Sequence, residues 1–192
     1  MNKTHLLTAI LVLLTNTLLT AQNEFEPTPT YPYGQPNPEA PNEIKDYQPL
    51  IGICDCKSYK LGKDNEWQSA VNMTWEFKYI MNGMAVQDQT LKEDGIHSGS
   101  IRQFNADSSS WYVHYYTTAI ASPGLRAWKG GKKGDEIILY SSQKSPNGID
   151  GFYKIRFFNI SDKGFNWLGE WVDKDETIAF PTWKIECKKR VD

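Results

Sequence analysis

From Val71 to Asp88 the chain runs VNMTWEFKYIMNGMAVQD. Val71, Met73, Trp75, Phe77, Tyr79 and Met81 alternate with Asn72, Thr74, Glu76 and Lys78. Successive side chains leave opposite sides of a sheet, so this pattern predicts a strand with one apolar and one polar face. The run ends in Asn82-Gly83, the dipeptide best suited to the two positive φ angles of a type I′ hairpin turn. A two-residue turn there sets Met81 against Met84, Tyr79 against Val86 and Phe77 against Asp88. Asp88 therefore falls on the apolar face, where a carboxylate needs a partner.

The theme repeats along the chain. Runs rich in Trp, Tyr, Phe, Ile and Val predict strands at 50–59, 70–81, 84–91, 98–104, 111–120, 125–129, 136–141, 151–160, 165–172 and 182–189. Turn material lies between them at 105–110, 130–135, 145–148 and 161–164, and the KGGKKG run at 129–134 is taken as a loop tip. The one stretch weighed as a helix, 48–61, fits a strand better. Together these elements predict an all-β fold, an antiparallel up-and-down meander barrel of about 8–10 strands, since closure removes exposed edges. A two-sheet sandwich is the alternative.

Pairing across the turns assigns faces. Phe104 and Trp111 flanking the NADSSS loop align Arg102 with Val113 and Ser100 with Tyr115. Closing the later hairpin at 161–164 sets Phe158 opposite Trp167, Arg156 opposite Gly169 and Lys154 opposite Trp171. Arg156 would then stack between Trp167 and Trp171. Three charges, Asp88, Arg102 and Arg156, fall on aromatic faces. Either they form a buried network, or they are the few polar groups that orient a ligand between apolar walls. The candidate ligand-binding set is Trp75, Phe77, Tyr79, Asp88, Arg102, Tyr115, Arg156, Trp167 and Trp171. A small hydrophobic or amphipathic molecule fits it, and an anionic one suits the two arginines.

The two ends change the picture. Lys3 followed by an apolar stretch at 6–19, with the small Ala21 before Gln22, has the pattern of a secretory signal peptide over 1–21. No later stretch has the length of a membrane span. The mature chain is expected to be exported, periplasmic or secreted. Residues 22–49 carry seven of the ten prolines and few aliphatics, the composition of a disordered spacer. The folded domain is expected over 50–192, which holds all seven tryptophans.

Export bears on the cysteines. Cys54, Cys56 and Cys187 would meet an oxidising compartment, and the odd count leaves one thiol over. Lys184, Glu186 and Lys188 mark the outer face of the last strand, so Cys187 points inward. First and last strands of such a barrel are neighbours, so Cys187 is expected to bond either Cys54 or Cys56.

Net charge is −2 with no basic stripe, which argues against nucleic acid as a partner. No Ser-His-Asp spacing, paired carboxylates or phosphate loop stands out, so no catalytic residue is assigned and the chain is not expected to be an enzyme. His114 alternates with Trp111 and points outward, and His97 sits beside a Gly-containing turn. The three cysteines lack a fourth ligand for a metal, and no cofactor is implied. A rival reading is a surface-binding module in which Trp67, Trp128 and Tyr112 face solvent and stack on sugars or a protein. The direction of the tryptophans separates the two. Oligomeric state is left open.

Gly52 near the first strand, then WEFKYIMNGMAVQD, SIRQFNADSSSWYVHYY, GDEIIL, FNWLGE and PTWKIE in that order, resembles an uncharacterised bacterial domain family of lipocalin-like (calycin) barrels. The resemblance spans about residues 50–190. It implies a small up-and-down barrel with an internal cavity and no established reaction. One departure stands out. Lipocalin-like barrels often carry Gly-x-Trp in the first strand, and here the stretch is Gly52-Ile53-Cys54. The tryptophan that would plug the barrel floor is absent.

Overall fold

Ten strands follow one another: β1 Gly52–Lys60, β2 Val71–Ile80, β3 Ala85–Lys92, β4 Ser98–Asn105, β5 Ser110–Thr117, β6 Arg126–Lys133, β7 Glu136–Lys144, β8 Asp150–Ser161, β9 Gly164–Asp173 and β10 Ala179–Lys189. Each pairs antiparallel with the next, and β10 returns to β1, so the sheet closes into a barrel. This computed structural model describes residues 23–190. The expected signal peptide lies outside the described residues. An all-antiparallel, lipocalin-like up-and-down barrel is therefore the fold, and the sandwich is excluded.

Alternation sets the core. Trp75, Phe77 and Tyr79 of β2 point inward, as do Trp111 and Val113 of β5 and Phe157 of β8. Tyr79 stands opposite Val86 and Phe77 opposite Asp88, the register that the Asn82-Gly83 turn dictates. Both turn residues have positive φ, 53° and 75°, and the Met84 N–H donates to the Met81 carbonyl at 3.2 Å. Met81 is itself left-handed, so the ladder stops at Ile80–Ala85 and both methionines are exposed.

Two expectations about connections are corrected. The KGGKKG run is not a loop tip: β6 continues through Gly130–Lys133, pairing Gly130 with Leu139, and only Gly134 and Asp135 turn. Two glycines lower strand propensity, but tertiary pairing overrides it, and Gly130 leaves no room for a Cβ beside the β7 backbone. The strand expected at 111–120 stops at Thr117.

The larger correction concerns 22–49. Its described residues are not a disordered spacer but a strap packed on the barrel. The Phe25 N–H donates to Asn82 Oδ1 at 3.1 Å, the Asn37 N–H to the Gly83 carbonyl at 3.2 Å, and the Tyr79 N–H to the Tyr33 carbonyl at 2.9 Å. Asn42–Leu50 then forms a 3-10 helix. Such a helix has three residues per turn, so Ile44, Tyr47 and Leu50 share one face, and all three are buried. Tyr47 rests on Trp111 and Phe157. This helix plugs the barrel end that has no first-strand tryptophan, and its aromatic ring takes that place.

Candidate functional site

The plug divides the interior. At its end, where the β2–β3, β4–β5, β6–β7 and β8–β9 turns lie, Tyr47, Phe77, Trp111, Phe157 and Phe165 pack edge to face. Toward the opposite end the barrel opens into a cavity of about 430 Å3, within the size range of small-molecule sites, roughly 300–1,000 Å3. Trp75, Trp128, Trp167 and Trp183 are among its walls. Gly169 helps make this space, because a Cβ there would strike the Tyr153 hydroxyl and the Trp167 ring.

At the base of the cavity two buried charges meet. Arg102 Nη1 donates to Asp88 Oδ1, and Trp75 Nε1 donates to Asp88 Oδ2 at 2.8 Å. Arg102 is 2% exposed and Asp88 3%. The guanidinium lies 5.1 Å from the ring centroids of both Tyr47 and Phe77. Burial, the largest single influence, lowers the arginine pKa, but the charge and hydrogen bond of Asp88 together with the Tyr47 hydroxyl outweigh it and leave it above the ordinary value. The pairing across β4 and β5 is the expected one, with Arg102 opposite Val113 and Ser100 opposite Tyr115.

Of the sequence-predicted set, Trp75, Asp88, Arg102, Tyr115 and Trp167 converge on this cavity. Phe77 and Tyr79 point inward but belong to the packed end and do not line it. Trp171 is buried apart from it, donating its indole N–H to the Gln143 carbonyl at 3.0 Å and lying over Gly151.

Arg156 is the clear correction. Phe157, not Phe158, stands opposite Trp167, and Arg156 stands opposite Leu168. Lys154 likewise faces Glu170 rather than Trp171. Ser161 pairs with Gly164, so the turn begins in the expected register. Between Phe158 and Ser161 a bulge inserts one residue, with Asn159 at φ 51°. Counted back from the turn, one extra residue sends every β8 side chain before it to the other face. Arg156 is thus on the outside. Its Nε and Nη2 hold the Glu136 carboxylate at 3.0 and 2.7 Å, and those bonds lower the Glu136 pKa.

Several wall residues were not singled out from sequence. Lys92 lies one residue past the expected end of its strand; its Nζ pairs with Asp94 at 2.7 Å. Arg126 and Trp128 sit on β6, for which no pairing had been assigned, although Arg126-x-Trp128 carries the alternation that points both inward. Trp128, which the rival surface-binding reading has facing solvent, is 7% exposed. Trp67 is the only tryptophan among the exposed apolar residues, and Tyr112 is half-buried on the outer side of β5. Four of the seven tryptophans therefore line the cavity, and among the described residues they form no exposed row.

Cys56 and Cys187 form the disulfide, directly opposite in the β1–β10 ladder, and Cys54 is buried and free. Among the described residues, no three His, Cys, Asp or Glu side chains gather to hold a metal ion, and no helix is long and apolar enough to cross a membrane. A wider depression of about 850 Å3 lies over the disulfide seam, but exposed, sign-alternating charges such as Asp55, Lys57, Glu186 and Lys188 line it. The barrel interior is the better site, because its walls are apolar and its polar groups converge.

Compared with known proteins, the chain matches no family model and no curated protein. The likeness to lipocalin-like barrels accordingly rests on architecture.

Proposed function

We propose that this protein is an exported binding barrel that takes a small apolar or amphipathic molecule into its tryptophan-walled cavity, without acting on it chemically. One observation carries the reading: the 430 Å3 space is bounded by four indoles and has the hydrogen-bonded Trp75–Asp88–Arg102 group at its base. An aromatic wall supplies apolar contact area, while a few fixed polar groups orient what enters. The Cys56–Cys187 disulfide and the N-terminal apolar stretch support export. The bacterial calycin family is the family we would assign.

The test is a titration with decanol followed by tryptophan fluorescence, together with native mass spectrometry of protein purified from its own host. We expect a saturable change at one ligand per chain, retained in Trp67→Phe because Trp67 lies outside the cavity. Absence of one-to-one binding, with no co-purifying small molecule, would overturn the reading.

A further inference from the structure

Three cations line the cavity, and they are not equivalent. Arg102 is neutralised by Asp88 and Lys92 by Asp94. Arg126 makes no ion pair among the described residues; its only polar contact there is donation to the neutral Gln143 side chain. It is nevertheless held in place, with its guanidinium 4.9 Å from the Trp128 ring centroid and 5.2 Å from that of Tyr153. Being the first residue of β6, after the loop at the open end, it sits at the mouth.

A second, independent observation falls beside it. The Trp128 side chain lines the same cavity, and its indole N–H is buried without an acceptor among the described residues. Buried donors are nearly always paired, and an unpaired one is costly. A stacked guanidinium with spare donors at the mouth can hold an oxyanion, and the unmet indole N–H of the ring it stacks on gains an acceptor when the head group settles against it.

We propose that Arg126 and the Trp128 N–H form the anion subsite of the cavity, and that its ligand is a singly charged amphiphile whose oxyacid head sits at the mouth. The apolar body then extends inward toward Trp75 and Trp167. Charge accounting sets the single charge: Arg126 is the one cation of the lining left without a carboxylate. It also sets the direction, because an anion at the base would have to displace Asp88 from Arg102. The inference rests on the reading of the cavity as a ligand site and adds to it the ligand's charge, its orientation and two residues.

The experiment compares decanoate, decyl sulfate, decanol and decyltrimethylammonium, titrated into the full chain and into Arg126→Gln, Arg126→Lys and Trp128→Phe. Arg126 is exposed and makes no ion pair among the described residues, so its variants should fold, which an unchanged melting temperature verifies. Decanoate and decyl sulfate should each bind at least ten-fold more tightly than decanol. Arg126→Gln should weaken both anions about 10–100-fold, the range for losing a charge-assisted bond, and leave decanol unchanged. Arg126→Lys should recover part of the loss, and Trp128→Phe, which keeps the ring but not the N–H, should weaken the anions several-fold. If decanol or the cation binds as tightly as the anions, or Arg126→Gln weakens anions and decanol equally, the subsite is wrong while the cavity stands. If no probe binds, the cavity reading fails and this proposal with it.

Discussion

The ring of Tyr47 stands edge-on to the indole of Trp111, with 4.8 Å between centroids and 81° between planes. Beside it, Trp111 Nε1 donates to Asp46 at 3.0 Å. One turn of 3-10 helix thus seals the barrel through an aromatic contact and a hydrogen bond from the same tryptophan. Truncating the ring leaves a hole in the packed end, so Tyr47→Ala should cost about 3–5 kcal/mol. Tyr47→Phe keeps the ring and should stay within about 1 kcal/mol of the parent. Urea unfolding checks both. A small loss in Tyr47→Ala would mean that the strap is not part of the cooperative fold.

The same residue makes stability depend on alkaline pH. Burial pushes the Tyr47 hydroxyl up to about 12, against the pull of the nearby Arg102 charge, and burial pushes Tyr79 up to about 12 as well. In the unfolded chain a tyrosine titrates near 10, roughly its unperturbed value. A folded pKa raised above the unfolded one means that the contribution is whole below about 10 and is lost as pH climbs to about 12. We expect unfolding free energy to fall over that window. The double variant Tyr47→Phe, Tyr79→Phe should flatten the slope, as measured by urea denaturation at stepped pH.

Asp88 and Arg102 are a fully buried pair, and removing one member strands the other. Asp88→Asn and Arg102→Gln should each lower stability by about 3–5 kcal/mol. The double variant should cost less than the sum of the two, because no lone charge remains. Additive losses in the double-mutant cycle would show that the two groups are not coupled.

Cys56–Cys187 bridges residues 131 apart in sequence, at the seam where β10 meets β1. Replacing both by serine should lower stability by about 2–5 kcal/mol. Cys54 is different. Burial pushes its thiol up to about 11 despite Lys189 nearby, so iodoacetamide at neutral pH should leave it unmodified in the native protein. Mapping should find one free thiol, at Cys54, after unfolding without reductant. A second free thiol would contradict the bridge.

The barrel was legible because inward and outward positions alternate along β2, β4 and β5 and because Asn82-Gly83 fixes a register. The base of the cavity followed from those registers, with Asp88 and Arg102 on inward faces. The strap was not legible in the same way, since proline content speaks to composition, whereas Ile44, Tyr47 and Leu50 carry a three-residue period that only a 3-10 helix turns to one side. The cysteine pairing stayed open because Cys54 and Cys56 share a face, and only the β1–β10 register, with Cys56 opposite Cys187, separates them. Arg126 was missed for a plainer reason: β6 meets β5 across an eight-residue loop, 118–125, with no tight turn to set its pairing.

The bulge at Asn159 has consequences that can be measured. Its left-handed backbone suits Asn or Gly and is strained for a β-branched residue. Asn159→Val should therefore cost about 1–2 kcal/mol, and Asn159→Gly should be close to neutral. The bulge also moves Arg156 outside, into a partly exposed pair with Glu136 in which the side chains are 29% and 30% exposed. Surface pairs are worth up to about 1 kcal/mol and weaken with salt. Arg156→Lys should lose no more than that, and the loss should shrink in high salt. Below the ordinary carboxylate range, where the lowered pKa of Glu136 is reached, protonation should remove the same contribution. A salt-independent loss of several kcal/mol in Arg156→Lys would instead place the guanidinium inside, stacked on tryptophan, and the bulge would then be misplaced by a residue.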